Sequence, residues 1–233
     1  MSGTSSIEEH FERLRAAAAG AGVDIIASAR IDAPLRETFH RAIAGVSARL
    51  GFAAAIGIRL SGPVLATVES APTWTYYHHY RTVNTALDQA ALRIAGECMR
   101  AGYRALPVPA SQILEWDGLA AHLSHRDVAH AAGLGWRGRN NLLVHPEYGS
   151  QVRYATILTD MPLPEGGAAG GSCGDCTACI PACPVGAIKE DPEAFDLDAC
   201  TAQLRRFSKE EKLNTLICGL CLRACAGRGL ADG

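Results

Sequence analysis

The chain has 233 residues, a formal net charge of -2 at pH 7 and a hydrophobic fraction of 48%. This length accommodates a domain with a sizeable core and a small additional module, and the charge balance disfavours broad binding to a phosphate backbone. Residues 1–15 are polar and charged and contain no apolar run of signal-peptide or membrane-spanning length. We therefore expect a soluble, cytoplasmic protein that does not associate with a membrane.

The first part of the chain alternates predicted helices with predicted strands. Apolar residues at three- and four-residue spacing predict helices, whereas short apolar runs predict strands. The pattern gives helices at 7–19 and 35–50 and strands at 23–29, 52–60 and 64–68. The last two strands are joined across Ser61-Gly62-Pro63, a sequence typical of a tight turn.

The clearest periodic pattern predicts a helix over 81–101, and Cys98 lies on its apolar stripe. We interpret this cysteine as a buried core residue, not a ligand. The aromatic and histidine-rich segment 74–81 fits either an edge packed on the core or the lining of a pocket for a planar cofactor. Farther along, the pattern predicts a strand at 103–108, a short helix capped by Ser124, and strands at 141–145 and 151–159.

The other eight cysteines all fall between Cys173 and Cys225. Without a predicted signal sequence, such clustering favours metal ligands over disulfides. The first four form the bacterial ferredoxin pattern C-x2-C-x2-C-x3-C-P, in which the fourth cysteine ligates the other cluster. We therefore predict two [4Fe-4S] clusters that exchange their last ligands. One cluster takes Cys173, Cys176, Cys179 and Cys225, and the other takes Cys183, Cys200, Cys218 and Cys221.

Two zinc sites with four cysteines each are the alternative for these eight thiolates. Three cysteines at x2 and x2 spacing followed by Cys-Pro favour iron–sulfur clusters over zinc. The second group departs from the ferredoxin pattern, since it lacks a nearby first cysteine and has Ala226 where a proline would follow.

The glycine-rich segment 164–172 predicts a flexible linker. It separates a predicted α/β cofactor or substrate domain at 1–163 from a double-cluster module at 173–233. A ferredoxin needs only the module. A preceding domain of this size therefore indicates a second cofactor or a substrate site that the clusters serve.

Residues 132–144, Ala-Gly-Leu-Gly-Trp-Arg-Gly-Arg-Asn-Asn-Leu-Leu-Val, resemble a segment of the epoxyqueuosine reductase family. Tyr-Gly-Ser at 148–150, Ile-Leu-Thr-Asp at 157–160 and the order of the cysteines continue the resemblance to Cys225. It implies a nitroreductase-like α+β sandwich, within the α/β class, followed by a small C-terminal ferredoxin-like double-cluster module. The family also carries a C-terminal helical-repeat extension, and we expect a short form without it.

The resemblance further implies a function. Family members hold cobalamin in a base-off state, reduce its cobalt through the clusters, and remove the epoxide oxygen of epoxyqueuosine in tRNA. We expect an iron–sulfur oxidoreductase with cobalamin and two [4Fe-4S] clusters, fed by a small donor such as ferredoxin or flavodoxin. The alternative is an electron-transfer protein that reductively activates a corrinoid held by a partner. The substrate stays open, and the net charge does not favour tRNA.

Site residues outside the cysteines are predicted from the same segments. The cobalamin candidates are Gly133, Gly135, Arg139, Asn140, Asn141 and Tyr154. The family's Asp proton donor precedes the Gly-Leu-Gly, but the matching position here is Leu119, with Asp117 nearby. His125, His122 and Tyr80 are therefore the candidate proton donors.

Overall fold

The computed structural model describes residues 6–116 and 118–227, and contacts divide the chain into two compact units. The first unit comprises Met1–Ile58, Asn84–Leu134 and Arg153–Ala169. The second comprises Arg59–Val83, Gly135–Val152 and Gly170–Gly233. Each unit is thus assembled from three separate stretches. These units do not coincide with the predicted boundaries at 163 and 173, and the functional division into a cofactor domain and a cluster module stays a prediction.

A four-stranded sheet with the strand order β1-β2-β6-β3 is the centre of the fold. Its strands are β1 (Ile25–Arg30), β2 (Phe52–Arg59), β3 (Ala105–Val108) and β6 (Val152–Thr159). β1 runs antiparallel to β2, and β3 runs antiparallel to β6. The two central strands carry long buried runs, as expected for strands covered on both faces.

Helices of the first unit begin where the sequence provides a cap. In α1 (Ile7–Ala19), Ser6 and Glu9 form a reciprocal capping box, and the predicted bounds are confirmed. The predicted helix at 35–50 is instead two short helices, α2 (Ala33–Glu37) and α3 (Arg41–Ser47). The break falls at His40, whose extended backbone and side chain cap the start of α3. Helix α6 (His125–Ala131) begins after Ser124, as predicted.

The predicted strand at 64–68 is wrong, because this segment is the short helix α4 (Gly62–Ala66). Proline is favoured in the first turn of a helix, where its missing N–H is not needed, and Pro63 occupies that turn. The apolar run at Val64 and Leu65 fits either structure. The three-residue sequence before it therefore starts a helix and not a hairpin.

Helix α5 (Trp74–Arg100) begins earlier than predicted and includes the aromatic segment. Its apolar stripe is buried as expected, and Cys98 is 0% exposed. The prediction that Cys98 is a core residue is confirmed. Tyr76 and Tyr77 are also buried, whereas His78 is exposed.

The second unit contains little regular structure. A two-stranded antiparallel ribbon joins β4 (Trp136–Arg137) to β5 (Leu143–Val144), and α7 (Leu197–Glu210) and α8 (Leu220–Arg223) follow among the cysteines. The sequence did not predict β4, and the predicted strand at 141–145 contracts to two residues. Across the described residues, no helix combines the length and hydropathy needed to cross a bilayer.

The first residues of the glycine-rich segment after β6 are hydrogen-bonded to β1 in the first unit, and the role of 164–172 as a flexible linker stays a prediction. The backbone N–H of Arg30 donates to the carbonyl of Glu165 at 2.8 Å, and the Ser28 hydroxyl donates to the carbonyl of Pro164 at 2.8 Å. Gly166 has a φ of 71°, and a Cβ there would collide with the Ser28 carbonyl. Glycine is therefore required for close packing at this position.

Candidate functional site

The first cysteine segment folds as a series of tight turns in the second unit. The N–H of Cys176 donates to the carbonyl of Cys173 at 3.0 Å, and the N–H of Cys183 donates to the carbonyl of Ile180 at 3.2 Å. Such turns bring thiols at x2 spacing to one side of the backbone. Among them, Cys176 is exposed and Cys179 is buried.

The remaining ligand candidates lie on or beside the two helices of the second unit. Cys200 is in the first turn of α7, while Cys218 and Cys221 flank Gly219, which precedes α8. Gly219 has a φ of 87°, and a Cβ there would lie 2.7 Å from Cε1 of Tyr76. Only glycine meets both conditions without strain, so the first of the two residues between Cys218 and Cys221 is fixed by packing.

Several of the cysteine thiols lie close enough to influence one another's ionisation. Burial raises the pKa of Cys179 to about 11, with smaller contributions from Cys225, Cys173 and Cys176. Burial likewise raises the pKa of Cys218 to about 11, with contributions from Cys200 and Cys183.

The other buried thiols follow the same pattern. Burial raises the pKa of Cys221, and Cys218, Cys200, Cys179 and Cys183 contribute. The eight thiols thus lie near one another in the second unit, and Cys179 of the first predicted set also lies near Cys221 of the second. The division of the thiols into two sets of four stays a prediction.

A buried thiol with a raised pKa holds its proton until a cation replaces it, since metals bind the thiolate. The donor set therefore fits a strongly cationic group. Among the described residues, no three His, Cys, Asp or Glu side chains are placed to hold one shared ion. The thiolates of a [4Fe-4S] cluster each bond a different iron, so their spacing follows the cluster and not a single ion.

Arg139 supports the first cysteine segment from within the same unit. Its guanidinium donates to the carbonyl of Glu190 at 2.7 Å, of Cys176 at 2.8 Å and of Gly174 at 2.9 Å. The planar fork of arginine suits several acceptors held in one arrangement. The contacts place this residue against the cysteine backbone, whereas the sequence suggested contact with cobalamin.

The end of the cysteine segment is supported by the residues around 150. The N–H of Ser150 donates to the carbonyl of Cys225 at 3.0 Å, and Nε2 of Gln151 donates to the carbonyls of Leu222 and Arg223 at 3.3 and 3.1 Å. Gly149 has a φ of 57°, and a Cβ there would collide with the Cys225 carbonyl. Sequence reasoning missed this role of Ser150 and Gln151, although the Tyr-Gly-Ser motif pointed to the segment.

Four more cobalamin candidates have structural contacts that explain their residue types. Gly135 lies so close to the Val144 carbonyl that a side chain would collide, and Gly133 would place a Cβ 2.8 Å from the Gly167 carbonyl. Asn140 is buried and donates to the Ser150 hydroxyl at 3.0 Å. Asn141 has a φ of 58° and accepts from Nε of Arg137 at 3.0 Å.

Tyr154 differs from these candidates because its hydroxyl is unsatisfied. Within the described part of the chain, three buried side-chain atoms lack a hydrogen-bond partner, namely Trp136 Nε1, Tyr154 Oη and Gln203 Nε2. Tyr154 is 7% exposed, and burial raises its pKa. An unsatisfied buried polar group costs about 1–3 kcal/mol, so such groups often face a ligand or ion. This observation fits a bound cofactor at Tyr154.

His125 is locked in the first unit. Its Nε2 lies 2.9 Å from the Pro109 carbonyl and its Nδ1 lies 2.9 Å from the Thr156 hydroxyl. A carbonyl only accepts, so Nε2 carries the proton and Nδ1 accepts from Thr156. Burial lowers the pKa of this imidazole to about 4. Burial favours the neutral ring, whereas the hydrogen bond to Pro109 acts in the opposite direction, and the role of His125 as proton donor stays a prediction.

The other catalytic candidates have different surroundings. Burial, followed by the neighbouring His40, lowers the pKa of His122. Tyr80 lies on α5, with its ring edge-on to Tyr76 at 6.4 Å between centroids. Leu119 has a φ of 55°, in a turn closed by the N–H of Ala120 donating to the Glu115 carbonyl at 3.0 Å. Asp117 lies outside the described residues.

Comparison with curated proteins gives relatives of one kind. The chain is 30% identical to the epoxyqueuosine reductase of Escherichia coli (strain K12) over 177 residues, covering 73% of this chain and 43% of the relative. It is 46% identical to the Listeria monocytogenes epoxyqueuosine reductase over 66 residues, covering 28% of this chain and 17% of the relative. The chain thus spans less than half the length of these relatives. No protein-family model matches it.

Solved structures share the fold. Epoxyqueuosine reductase from Streptococcus thermophilus matches with a TM-score of 0.64 and 17% identity, over 92% of this chain and 65% of that one. Epoxyqueuosine reductase with a tRNA-Tyr stem loop matches with a TM-score of 0.56 and 22% identity, over 85% of this chain and 58% of that one. A reductive dehalogenase whose structure suggests a mechanism for B12-dependent dehalogenation matches with a TM-score of 0.65 and 17% identity. The match covers 82% of this chain and 27% of that one.

The mixed α/β fold is therefore one that epoxyqueuosine reductases and reductive dehalogenases share. The sequence matches narrow this class further. The chain is an epoxyqueuosine reductase-like protein, and the predicted resemblance is confirmed.

Proposed function

We propose that the protein is a cobalamin-dependent iron–sulfur reductase that acts in the manner of an epoxyqueuosine reductase. The observation that carries this proposal is the set of eight cysteines at ferredoxin-type spacing, whose thiols lie near one another in the second unit. A single structural metal would need only four of them. Two clusters joined through exchanged ligands provide a path for electrons.

One [4Fe-4S] cluster binds Cys173, Cys176, Cys179 and Cys225, and the other binds Cys183, Cys200, Cys218 and Cys221. Arg139 and Ser150 hold the backbone at the two ends of the first set, at Cys176 and Cys225. These contacts fix the loops that must enclose the cluster. In functional terms, 173–233 is the ferredoxin-like module, 164–172 the connection, and 1–163 a nitroreductase-like cofactor domain.

Cobalamin is the second cofactor in this proposal, supported by the unpaired Tyr154 hydroxyl and by the B12-dependent dehalogenase that shares the fold. When bound, cobalamin supplies a cobalt centre that accepts electrons from the clusters. Tyr154 would donate a hydrogen bond to the cofactor, because its buried hydroxyl has no partner among the described residues. Gly133 and Gly135 leave the backbone without a side chain at these two positions. Asn140 and Asn141 hold the following segment in place through their hydrogen bonds to Ser150 and Arg137.

The reaction requires both electrons and protons. Removing an epoxide oxygen as water consumes two electrons, which the clusters deliver from a donor such as ferredoxin or flavodoxin, and two protons. His125 is a poor proton donor because its ring is neutral and both nitrogens are engaged. His122 and Tyr80 therefore remain the candidate proton donors.

The proposed substrate class is an epoxide-bearing nucleoside in tRNA. A tRNA stem loop is bound to an epoxyqueuosine reductase that shares this fold. The net charge of -2 provides no overall attraction to a polyanion, so recognition would rest on local contacts.

Anaerobic reconstitution with iron, sulfide and hydroxocobalamin tests the proposal. We expect about eight irons per chain, as two four-iron clusters require, and a base-off cob(II)alamin spectrum after reduction. Epoxyqueuosine in a tRNA stem loop should then lose its oxygen. Two zinc ions per chain, or no cobalamin binding at full iron content, would contradict the proposal. Reduction of a partner's corrinoid without such binding would support the alternative electron-transfer role.

A further inference from the structure

Gln203 lies on the ligand-bearing face of α7. It follows Cys200 by three positions and precedes Phe207 by four, so the three residues share one side of the helix. Gln203 and Phe207 are buried there. Because Cys200 belongs to the second predicted group of thiol ligands, this is the helix face that carries a member of that group.

The side chain of Gln203 extends toward that group. Long side chains on a helix lean toward its N-terminus and cover the preceding turn, which here contains Cys200. Gln203 is 5% exposed, and its Nε2 is one of the three unpartnered buried atoms among the described residues. A buried amide N–H without an acceptor indicates a partner that the protein itself does not supply.

We propose that Nε2 of Gln203 donates a hydrogen bond to a sulfur of the cluster held by Cys183, Cys200, Cys218 and Cys221. This inference rests on the proposed function, because it needs that cluster to be present. Sulfur of a cluster carries negative charge, and the charge grows when the cluster is reduced. An N–H dipole directed at it therefore stabilises the reduced state and raises the reduction potential.

The consequence is a difference between the two clusters. The second cluster receives a buried donor from α7 and has a higher reduction potential than it would have without Gln203. Gln203 thus acts as a positioning residue that tunes the direction of electron flow, without touching a substrate.

The test is redox titration of the reconstituted protein, followed by electron paramagnetic resonance. Gln203→Met keeps the side-chain length but removes the N–H, so one of the two cluster potentials should shift to a more negative value. Gln89→Met makes the same chemical change at an exposed site on α5 and should leave both potentials unchanged. If the Met variant does not take up iron, Gln203→Asn withdraws the amide by one methylene and should lower the same potential.

Two failures are distinguishable. A wild-type chain that takes up no iron overturns the proposed function and this inference with it. A Gln203 variant with full iron content and two unchanged potentials overturns the inference alone.

Discussion

Arg139 donates from its guanidinium to the backbone carbonyl of Cys176 at 2.8 Å. The same side chain reaches Gly174 and Glu190, so one residue ties together both ends of the loop that carries the first cysteines. The cation also lies beside a site that gains negative charge when thiolates bind iron. Both the geometry and the charge of Arg139 therefore favour a loaded first cluster.

Arg139→Lys should weaken iron binding without abolishing folding. Lysine keeps the charge but cannot engage three carbonyls through a rigid fork, so we expect a loss of about 1–3 kcal/mol in stability. Iron should also leave faster when a chelator is added to the reconstituted protein. Arg137→Lys, which changes a guanidinium bound to Asn141, serves as the control. Equal chelation rates in both variants would count against the supporting role.

Gly149→Ala should be far more damaging than an ordinary glycine substitution. Its φ of 57° costs alanine about 1–2 kcal/mol, and the new Cβ would also strike the Cys225 carbonyl. Gly22→Ala is the matched control, because Gly22 has a φ of 74° with nothing within 4 Å of a Cβ. Urea unfolding of both variants separates the strain from the collision. Similar losses of stability would show that the Cys225 contact is unimportant.

Cys98→Ala should leave the iron content at about eight per chain, because Cys98 is fully buried in α5 and far along the sequence from the ligand groups. Cavity formation should still lower the stability of the fold by about 1–2 kcal/mol. Cys179→Ala should instead lose iron from the first cluster. Iron assays on the two variants compare the excluded cysteine with a predicted ligand, and loss of iron from the Cys98 variant would refute the assignment.

His125 should make stability depend on pH. Its pKa is about 4 in the folded chain, below the value near 6.5 of an unfolded histidine. As the pH falls, the unfolded state therefore binds the proton before the folded state does. The contribution of the neutral His125 to the free energy of unfolding is complete above about pH 6.5 and is lost as the pH falls toward 4. His125→Gln should remove about 2–3 kcal/mol from the change in the free energy of unfolding with pH. Urea titrations of both proteins at pH 7.5 and 5 measure the difference, and parallel curves would contradict the prediction.

Tyr154→Phe should separate stability from cofactor binding. The hydroxyl has no partner within the described ranges of the chain, so its removal should leave the free protein as stable or slightly more stable. Cobalamin affinity should fall by about 5- to 30-fold, the value of one or two kcal/mol. Tyr103→Phe, whose hydroxyl lies 3.5 Å from Nε2 of His10, is the control. Unchanged affinity in the Tyr154 variant would remove this tyrosine from the cofactor site.

Local sequence was sufficient where the deciding interactions are local. The helical pattern of 7–19 and the glycines that follow it predicted the bounds of α1. The stripe containing Cys98 likewise identified the core face of α5. The segment at Val64 was misjudged because a five-residue apolar run fits a strand as well as a short helix, and Pro63 decided between them.

The supporting contacts of the cysteines could not be read from spacing. Arg139 and Glu190 are 51 positions apart, and Gln151 lies 71 positions from Leu222. No periodicity or motif links such pairs, because their meeting depends on how the whole second unit folds. The role predicted for Arg139 was based on its charge and hydrogen-bonding groups. Its contacts are instead determined by where the fold places three backbone carbonyls.

The second unit is built from three separate stretches, so the cysteine segment alone does not form a complete unit. A ferredoxin module joined to another domain at 164–172 would instead be one contiguous segment of the sequence. Here, the same unit also contains Arg59–Val83 and Gly135–Val152. The Val68 carbonyl accepts a hydrogen bond from the Arg223 guanidinium, and the N–H of Ser150 donates to the Cys225 carbonyl. Transplanting 173–233 into another protein would leave these interactions behind. A functional graft would therefore have to carry all three stretches of the second unit.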